Sequence, residues 1–145
     1  MLRAHNIARI VGLAMIMMAS CTERPAAIMP TTVEARVSSA LREVLGRRGV
    51  DSPFAIIESA PSGKFVQFTG SAEDPLVLDL PVKTLSPEEL ARAQALFREL
   101  GGSASENGFQ LTLARDSDEG ARVALRVIRE VYSLPDNADI TVRVE

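Results

Sequence analysis

The sequence predicts an α+β domain, with an antiparallel sheet of about five strands and three helices packed on one face. Short segments alternate apolar and polar residues, and connections too brief for a crossover join them, which favours antiparallel pairing. Longer segments repeat apolar residues every three or four positions, as amphipathic helices do. The predicted order over residues 31–145 is α-β-β-β-α-β-α-β, in which helices interrupt a sheet of hairpin-joined strands.

The first predicted helix runs from Thr32 to Arg48. Thr31 and Glu34 have the spacing of a capping box, and Gly49 stands where a left-handed C-cap is expected. Three short strands then follow at about residues 54–58, 64–69 and 76–80. The loops between them are rich in Pro, Gly and Ser, so we predict a three-stranded meander.

The second predicted helix has the clearest start in the chain, with Ser86 at the N-cap, Pro87 at N1 and Glu89 at N3. Gly101 and Gly102 end it. A fourth strand is predicted at residues 109–114. The third helix is predicted to begin near Asp116 or Ser117 and to stop before Pro135, and the last strand covers residues 140–144.

The first 20 residues predict an export signal. Arg3 and Arg9 precede an uncharged apolar run at residues 10–19, and Ser20 comes directly before Cys21. A basic start, a short apolar run and small residues at the cut are typical of secretory signals. The run is about half the length that spans a bilayer as a helix. The alternative interpretation is a buried core helix.

Met18-Ala19-Ser20-Cys21 resembles the lipobox of bacterial lipoproteins, with Met where Leu is usual. The resemblance implies cleavage between Ser20 and Cys21, a diacylglyceryl thioether on Cys21, and often acylation of the new amino group. An ordinary secretory signal is the alternative. Thr22, which stands where an inner-membrane retention signal often has Asp, implies the periplasmic face of the outer membrane.

The predicted organisation is therefore a signal peptide at 1–20, a lipidated cysteine and tether at 21–30, and one domain at 31–145. The nine residues after Cys21 reach at most about 30 Å. We expect the membrane to be a partner through the lipid on Cys21, and two or more acyl chains are enough for stable anchoring.

Composition excludes several kinds of chemistry. The single histidine, His5, lies in the predicted signal, and Cys21 is the only cysteine. A processed chain would have no internal disulfide, no Cys/His metal site and no histidine-dependent triad. Its 14 basic and 19 acidic residues give a net charge of −5, which disfavours nucleic acid as a partner. No cofactor is expected.

Several carboxylates are candidate sites. Glu73 and Asp74 suggest a carboxylate or calcium site, but a solvated hairpin turn is the favoured interpretation. Asp116, Asp118 and Glu119 form a second acidic cluster that helix capping explains.

Asp79 lies inside a strand and would be a site candidate if buried. The favoured interpretation directs it to solvent near Lys64 or Gln67. Phe65, Phe68 and Phe97 are predicted to be core residues rather than a ligand-binding box, while Arg47 and Arg48 mark a solvated helix end rather than a lipid contact.

Two further resemblances concern the domain. The segments FAIIESAPSGKFVQFTGSAEDPLVLDLP and LSPEELARAQALFRELGG, within residues 54–102, resemble a pattern of uncharacterised bacterial proteins. The element order is loosely similar to the type III secretion chaperone and YbjN-like group, a resemblance that implies binding of protein segments.

Three functions fit the sequence. The first is a membrane-anchored envelope lipoprotein that binds a protein or peptide without catalysis, with an envelope protein as the expected partner. The second is a small carboxylate-dependent envelope hydrolase, which would need two opposed acids in a cleft. The third is a structural envelope component.

Overall fold

The computed structural model describes residues 32–49 and 53–145. The predicted signal peptide, the cleavage site at Ser20 and Cys21, and the tether at 21–30 lie outside the described residues. Among the residues described, no helix has the length and apolarity that crossing a bilayer requires.

Six antiparallel strands form one sheet in the described part of the chain. Their spatial order is β4-β5-β3-β2-β1-β6. The strand bounds are β1 Phe54–Ser59, β2 Lys64–Thr69, β3 Leu76–Pro81, β4 Ser103–Ala104, β5 Gly108–Leu113 and β6 Ile140–Val144. The meander of β1, β2 and β3 is confirmed, and β6 pairs with β1 at one side of it.

The predicted count of about five strands and the predicted order α-β-β-β-α-β-α-β were wrong by one strand. Ser103 and Ala104 form a two-residue strand that pairs with Gln110 and Phe109 of β5. Both of its residues are exposed, so no burial pattern marks them in the sequence. The observed order is α-β-β-β-α-β-β-α-β, with a short 3₁₀ turn at Val82–Thr84 before the second helix.

Three helices pack on one face of the sheet. They are α1 Val33–Gly46, α2 Pro87–Leu100 and α3 Ser117–Arg126, and α3 continues through a π-helical turn at Val127–Val131. The central helix α3 contacts α1 on one side, while α2 contacts the π-helical turn and β5. Gly120 permits the close approach of α3, because a Cβ there would lie 2.6 Å from Cδ1 of Leu41.

The ends of α1 differ from the prediction. Thr32 is the N-cap, and its Oγ1 accepts the amide of Ala35 at 3.1 Å, so the capping box of Thr31 and Glu34 was wrong. The helix ends at Gly46 with Arg47 extended after it. Gly49 does adopt a left-handed φ of +64°, but it lies in the loop beyond the helix end.

The predicted starts of α2 and α3 are confirmed. The hydroxyl of Ser86 accepts a hydrogen bond from the amide of Glu89, and the carboxylate of Glu89 accepts one from the amide of Ser86. Asp116 caps α3 through the amides of Asp118 and Glu119. The last helix ends before Pro135, where Ser133 takes a left-handed φ of +55°.

The sheet therefore has a covered face, under the helices, and an open face on the other side. The side chains of the covered face are almost all apolar and buried, and they form the core with the apolar stripes of the helices. Its buried apolar strand residues are Ala55, Ile57, Val66, Phe68, Leu76, Leu78, Leu80, Phe109, Leu111, Leu113 and Ile140.

Candidate functional site

The open face is the candidate site, since no described element covers it. The strand register aligns one row of side chains across its middle. From β6 to β5 that row is Arg143, Ile56, Gln67, Asp79 and Gln110. Each is half-buried or exposed, because the neighbouring strands screen it but nothing lies above it.

Apolar side chains flank this central row on both sides. Phe54 and Val77 lie in the row toward the β2–β3 loop, and Phe65 lies in the row toward the β1–β2 hairpin. All three are half-buried. A flat surface that alternates aromatic and aliphatic groups with amides and hydroxyls has the composition of many protein-binding surfaces.

The charged groups of the open face are tied to neighbours on adjacent strands. The Nε2 of Gln110 donates to Oδ1 of Asp79 at 2.7 Å. A guanidinium nitrogen of Arg143 donates to Glu58 at 3.2 Å. Glu58 is thereby paired with a cation, whereas the Asp79 carboxylate bonds to an uncharged amide, so Asp79 is the negative point of the central row.

Two shallow depressions lie at opposite ends of the open face. One of about 470 Å³ is bounded by Pro53, Thr69, Val77 and the turn that carries Asp74. The other, of about 150 Å³, lies beside Asp79, Gln110 and the turn between β4 and β5. Together with the central row they make a surface that an extended or flat partner can contact along its length.

The turn interpretation of Glu73 and Asp74 agrees with the structure. The Oγ of Ser71 accepts the amides of Glu73 and Asp74 at 3.1 and 3.0 Å and donates to the Asp74 carboxylate at 2.8 Å. Arg115 adds bonds to the carbonyls of Ser71, Asp74 and Leu45. These bonds account for the turn, and they connect it to the end of α1.

The second acidic cluster also has a structural role. Oδ1 of Asp116 accepts the amides of Asp118 and Glu119 at 2.9 and 3.1 Å. These backbone bonds hold the pKa of Asp116 below its usual value. Asp118 accepts the hydroxyl of Ser38 and joins α3 to α1. Within residues 32–49 and 53–145, no group of three His, Cys, Asp or Glu side chains could hold a metal ion.

The structure places Asp79 opposite Gln67, as the sequence suggested, but not near Lys64. Lys64 pairs with Ser59 and lies on the covered side of β2. The prediction that Phe65 is a core residue was wrong. Side chains alternate between the two faces along β2, and Phe65 is half-buried on the open face. Phe68 and Phe97 are buried in the core as predicted.

Arg47 and Arg48 follow the last residue of α1, as the helix-end interpretation expected. A guanidinium nitrogen of Arg47 donates to Glu43 one turn earlier at 2.6 Å. Arg48 is exposed.

The sequence analysis did not predict a partly buried ion pair between Lys64 and Glu89. The ammonium of Lys64 donates to Glu89 at 2.7 Å and to the carbonyl of Thr84 at 2.6 Å. It also lies 5.8 Å from the ring centre of Tyr132. These contacts connect the start of β2 to the start of α2. The partners are 25 positions apart in the sequence, so no periodic signal marks the pair.

Burial alone would raise the pKa of Glu89, but the bonds from Lys64 and the Ser86 amide outweigh it and lower that pKa below 4.5. Burial, together with the charge of Glu89, raises the pKa of the Tyr132 hydroxyl. The cluster is fully bonded and lies on the covered side, so its role is to fix α2 on the sheet.

No protein-family model matches the chain, and no curated protein or solved structure matches it. The resemblances to lipoproteins and to the secretion-chaperone group therefore stay predictions.

Proposed function

We propose that the protein is a lipid-anchored envelope lipoprotein that binds a protein partner on its open face, without catalysis. The observation that carries this proposal is the open face itself, where Phe54, Ile56 and Phe65 are half-buried beside Asp79 and Gln110. A helix layer covers most of the other face, whereas no described element lies over Phe54, Ile56 and Phe65.

The chemistry of the open face specifies the partner. Arg143 pairs with Glu58, so among the described residues Asp79 is the negative charge that the central row presents to a partner. A protein segment with a Lys or Arg opposite Asp79, and apolar side chains opposite Ile56 and Phe65, complements it. Charge complementarity of this kind sets orientation and the association rate more than the affinity.

The carboxylate-dependent hydrolase has less support. The open-face carboxylates Glu58 and Asp79 are each bonded to a neighbouring side chain. They lie on a flat sheet, whereas glycoside hydrolysis needs acids that face each other across a bound sugar.

Site-specific crosslinking in the intact envelope tests the binding surface. A photoreactive residue at Phe65 should form a crosslinked product, whereas the same residue at Ala95, exposed on α2, should not. Asp79→Lys should abolish the product, and Glu34→Lys, which makes the same charge change at an exposed position on α1, should retain it. Equal products from Phe65 and Ala95, or insensitivity to Asp79→Lys, would contradict the proposal.

The lipid anchor has its own test. Cys21 is the only cysteine, so a thioether-linked lipid has no other attachment site in this chain. Cys21→Ser should abolish incorporation of a labelled fatty acid and release the protein from membranes. A processed, unlabelled Ser variant that stays in the membrane fraction would disprove the anchor and leave the crosslinking result unaffected.

A further inference from the structure

A groove of about 310 Å³ lies away from the open face, at the start of α1. Ile128 and Ile140 form its deep part, with 5% and 3% of their surfaces exposed. Val33 and Leu125 are half-buried beside them. The groove thus exposes apolar side chains from three separate elements, namely α1, the last helix and β6.

The rim of the groove is polar. Arg129 and Asp136 form an ion pair at 2.6 Å on one side, and Thr32 and Glu34 form the opposite side. The left-handed turn at Ser133 directs the chain from the last helix into this rim. An apolar floor between polar walls suits a short apolar segment.

We propose that residues 26–29 of the same chain, Ala-Ala-Ile-Met, occupy this groove. The segment is uncharged and apolar and lies between Pro25 and Pro30. It belongs to the part of the chain that precedes the described residues, and the described chain begins at Thr32, which itself lines the groove. The chain itself therefore holds this segment close to the groove.

Distance and backbone restriction both favour this occupant. Met29 is three residues from Thr32, a span of at most about 10 Å. A residue before proline is held in an extended conformation, so Met29 loses little freedom on docking. The unbranched side chain of methionine fills irregular apolar gaps. A covalently connected segment also has an effective concentration of order millimolar, which a separate partner rarely reaches.

Docking of residues 26–29 changes the geometry of the proposed anchor. If the whole segment after Cys21 were free, it would reach at most about 30 Å. With residues 26–29 bound, the free part is residues 22–25, which reach about 13 Å. The domain would then be held close to the bilayer in a restricted orientation.

Methyl NMR on the full chain in detergent tests the contact, because the chain has only five methionines. With ¹³C-methyl methionine, the signal of Met29 is assigned by its disappearance in Met29→Leu. We expect cross-peaks between this methyl and the methyls of Leu125 and Ile128, and protection from a soluble paramagnetic agent. Leu125→Ala should remove the Leu125 cross-peak and shift the Met29 signal.

Leu100→Ala is the matched control, since Leu100 is also a half-buried leucine on a helix but lies outside the groove. It should leave the Met29 signal unchanged. A Met29 methyl at the position of an unfolded peptide, or one with cross-peaks only to detergent chains, would overturn the proposal. So would equal effects of Leu125→Ala and Leu100→Ala. None of these outcomes depends on lipidation or on the open face.

Discussion

On β3, Leu78 lies under the helices with no exposed surface, whereas its neighbour Asp79 lies on the open face and bonds to Gln110. The same alternation runs through β1, β2 and β5, so each strand contributes to two surfaces with different tasks. The covered face supplies the packing that holds the fold. The residues of the open face do not form that core, so they can be suited to contact with a partner.

The phenylalanines of β2 give the largest expected difference. The register places Phe68 against Ala55 on the covered face and Phe65 against Glu58 on the open face. Phe68→Ala should lower the free energy of unfolding by about 3–5 kcal/mol, because it leaves a cavity in a close-packed core. Phe65→Ala should cost about 1 kcal/mol, because only part of its surface is removed from water.

Urea denaturation of both variants measures these two changes. Similar losses of stability would show that the open face carries packing that the burial pattern does not reveal. The distinction between a structural face and a contact face would then fail at β2.

The ion pair of the covered side is expected to have the next largest effect. Lys64→Met leaves Glu89 only 8% exposed and without its cation, which should cost about 2 kcal/mol. In the unmutated protein the pKa of Glu89 is lowered by folding. The stability that this shift contributes is therefore complete above about pH 4.5 and is lost as the pH falls through the folded-state pKa.

Thermal denaturation between pH 3 and pH 7 separates this contribution from others. Glu89→Gln keeps the size of the side chain but removes the titration, so its stability should fall less steeply below about pH 4.5. A profile parallel to that of the unmutated protein would show that the pair does not contribute.

The ion pair of the open face should have the smallest effect. Arg143 and Glu58 are 51% and 31% exposed, and such surface pairs contribute about 0–1 kcal/mol. Arg143→Met should change the free energy of unfolding by less than about 0.5 kcal/mol, and salt should remove the difference. A larger loss that persists in salt would show that this edge of the sheet is more rigid than its exposure indicates.

Much of the fold could be predicted because the strongest signals are local. Ser86, Pro87 and Glu89 determine the start of α2 through bonds between near neighbours, and the alternation in β3 and β5 identifies both strands. The cap of α1 was misplaced by one residue because Thr31 and Thr32 both suit an N-cap and only the geometry distinguishes them. In the structure, Oγ1 of Thr32 accepts the amide of Ala35.

The remaining features depend on contacts between distant residues. Ser103 and Ala104 become a strand only because β5 turns back on them. The faces on which Phe65 and Lys64 lie depend on the register of the β1–β2 hairpin at Ser59. The sequence does not determine this register to within one residue, and a shift of one residue would exchange the two faces. An open face could be expected because the strands have one apolar side and one polar side. The residues of its central row could be identified only from the pairing of β5 with β3.

The position of β6 has a consequence for how the chain is made. β6 protects the outer edge of β1, and the backbones of Phe54 and Glu145 exchange two hydrogen bonds at 3.1 and 2.9 Å. During synthesis, β1 emerges long before β6, with Phe54, Ala55, Ile56 and Ile57 in one uncharged run. Until β6 arrives, or in any prematurely terminated product, that edge is free to pair with another polypeptide. Pairing of the last strand with β1 thus removes this apolar edge from reach of another polypeptide.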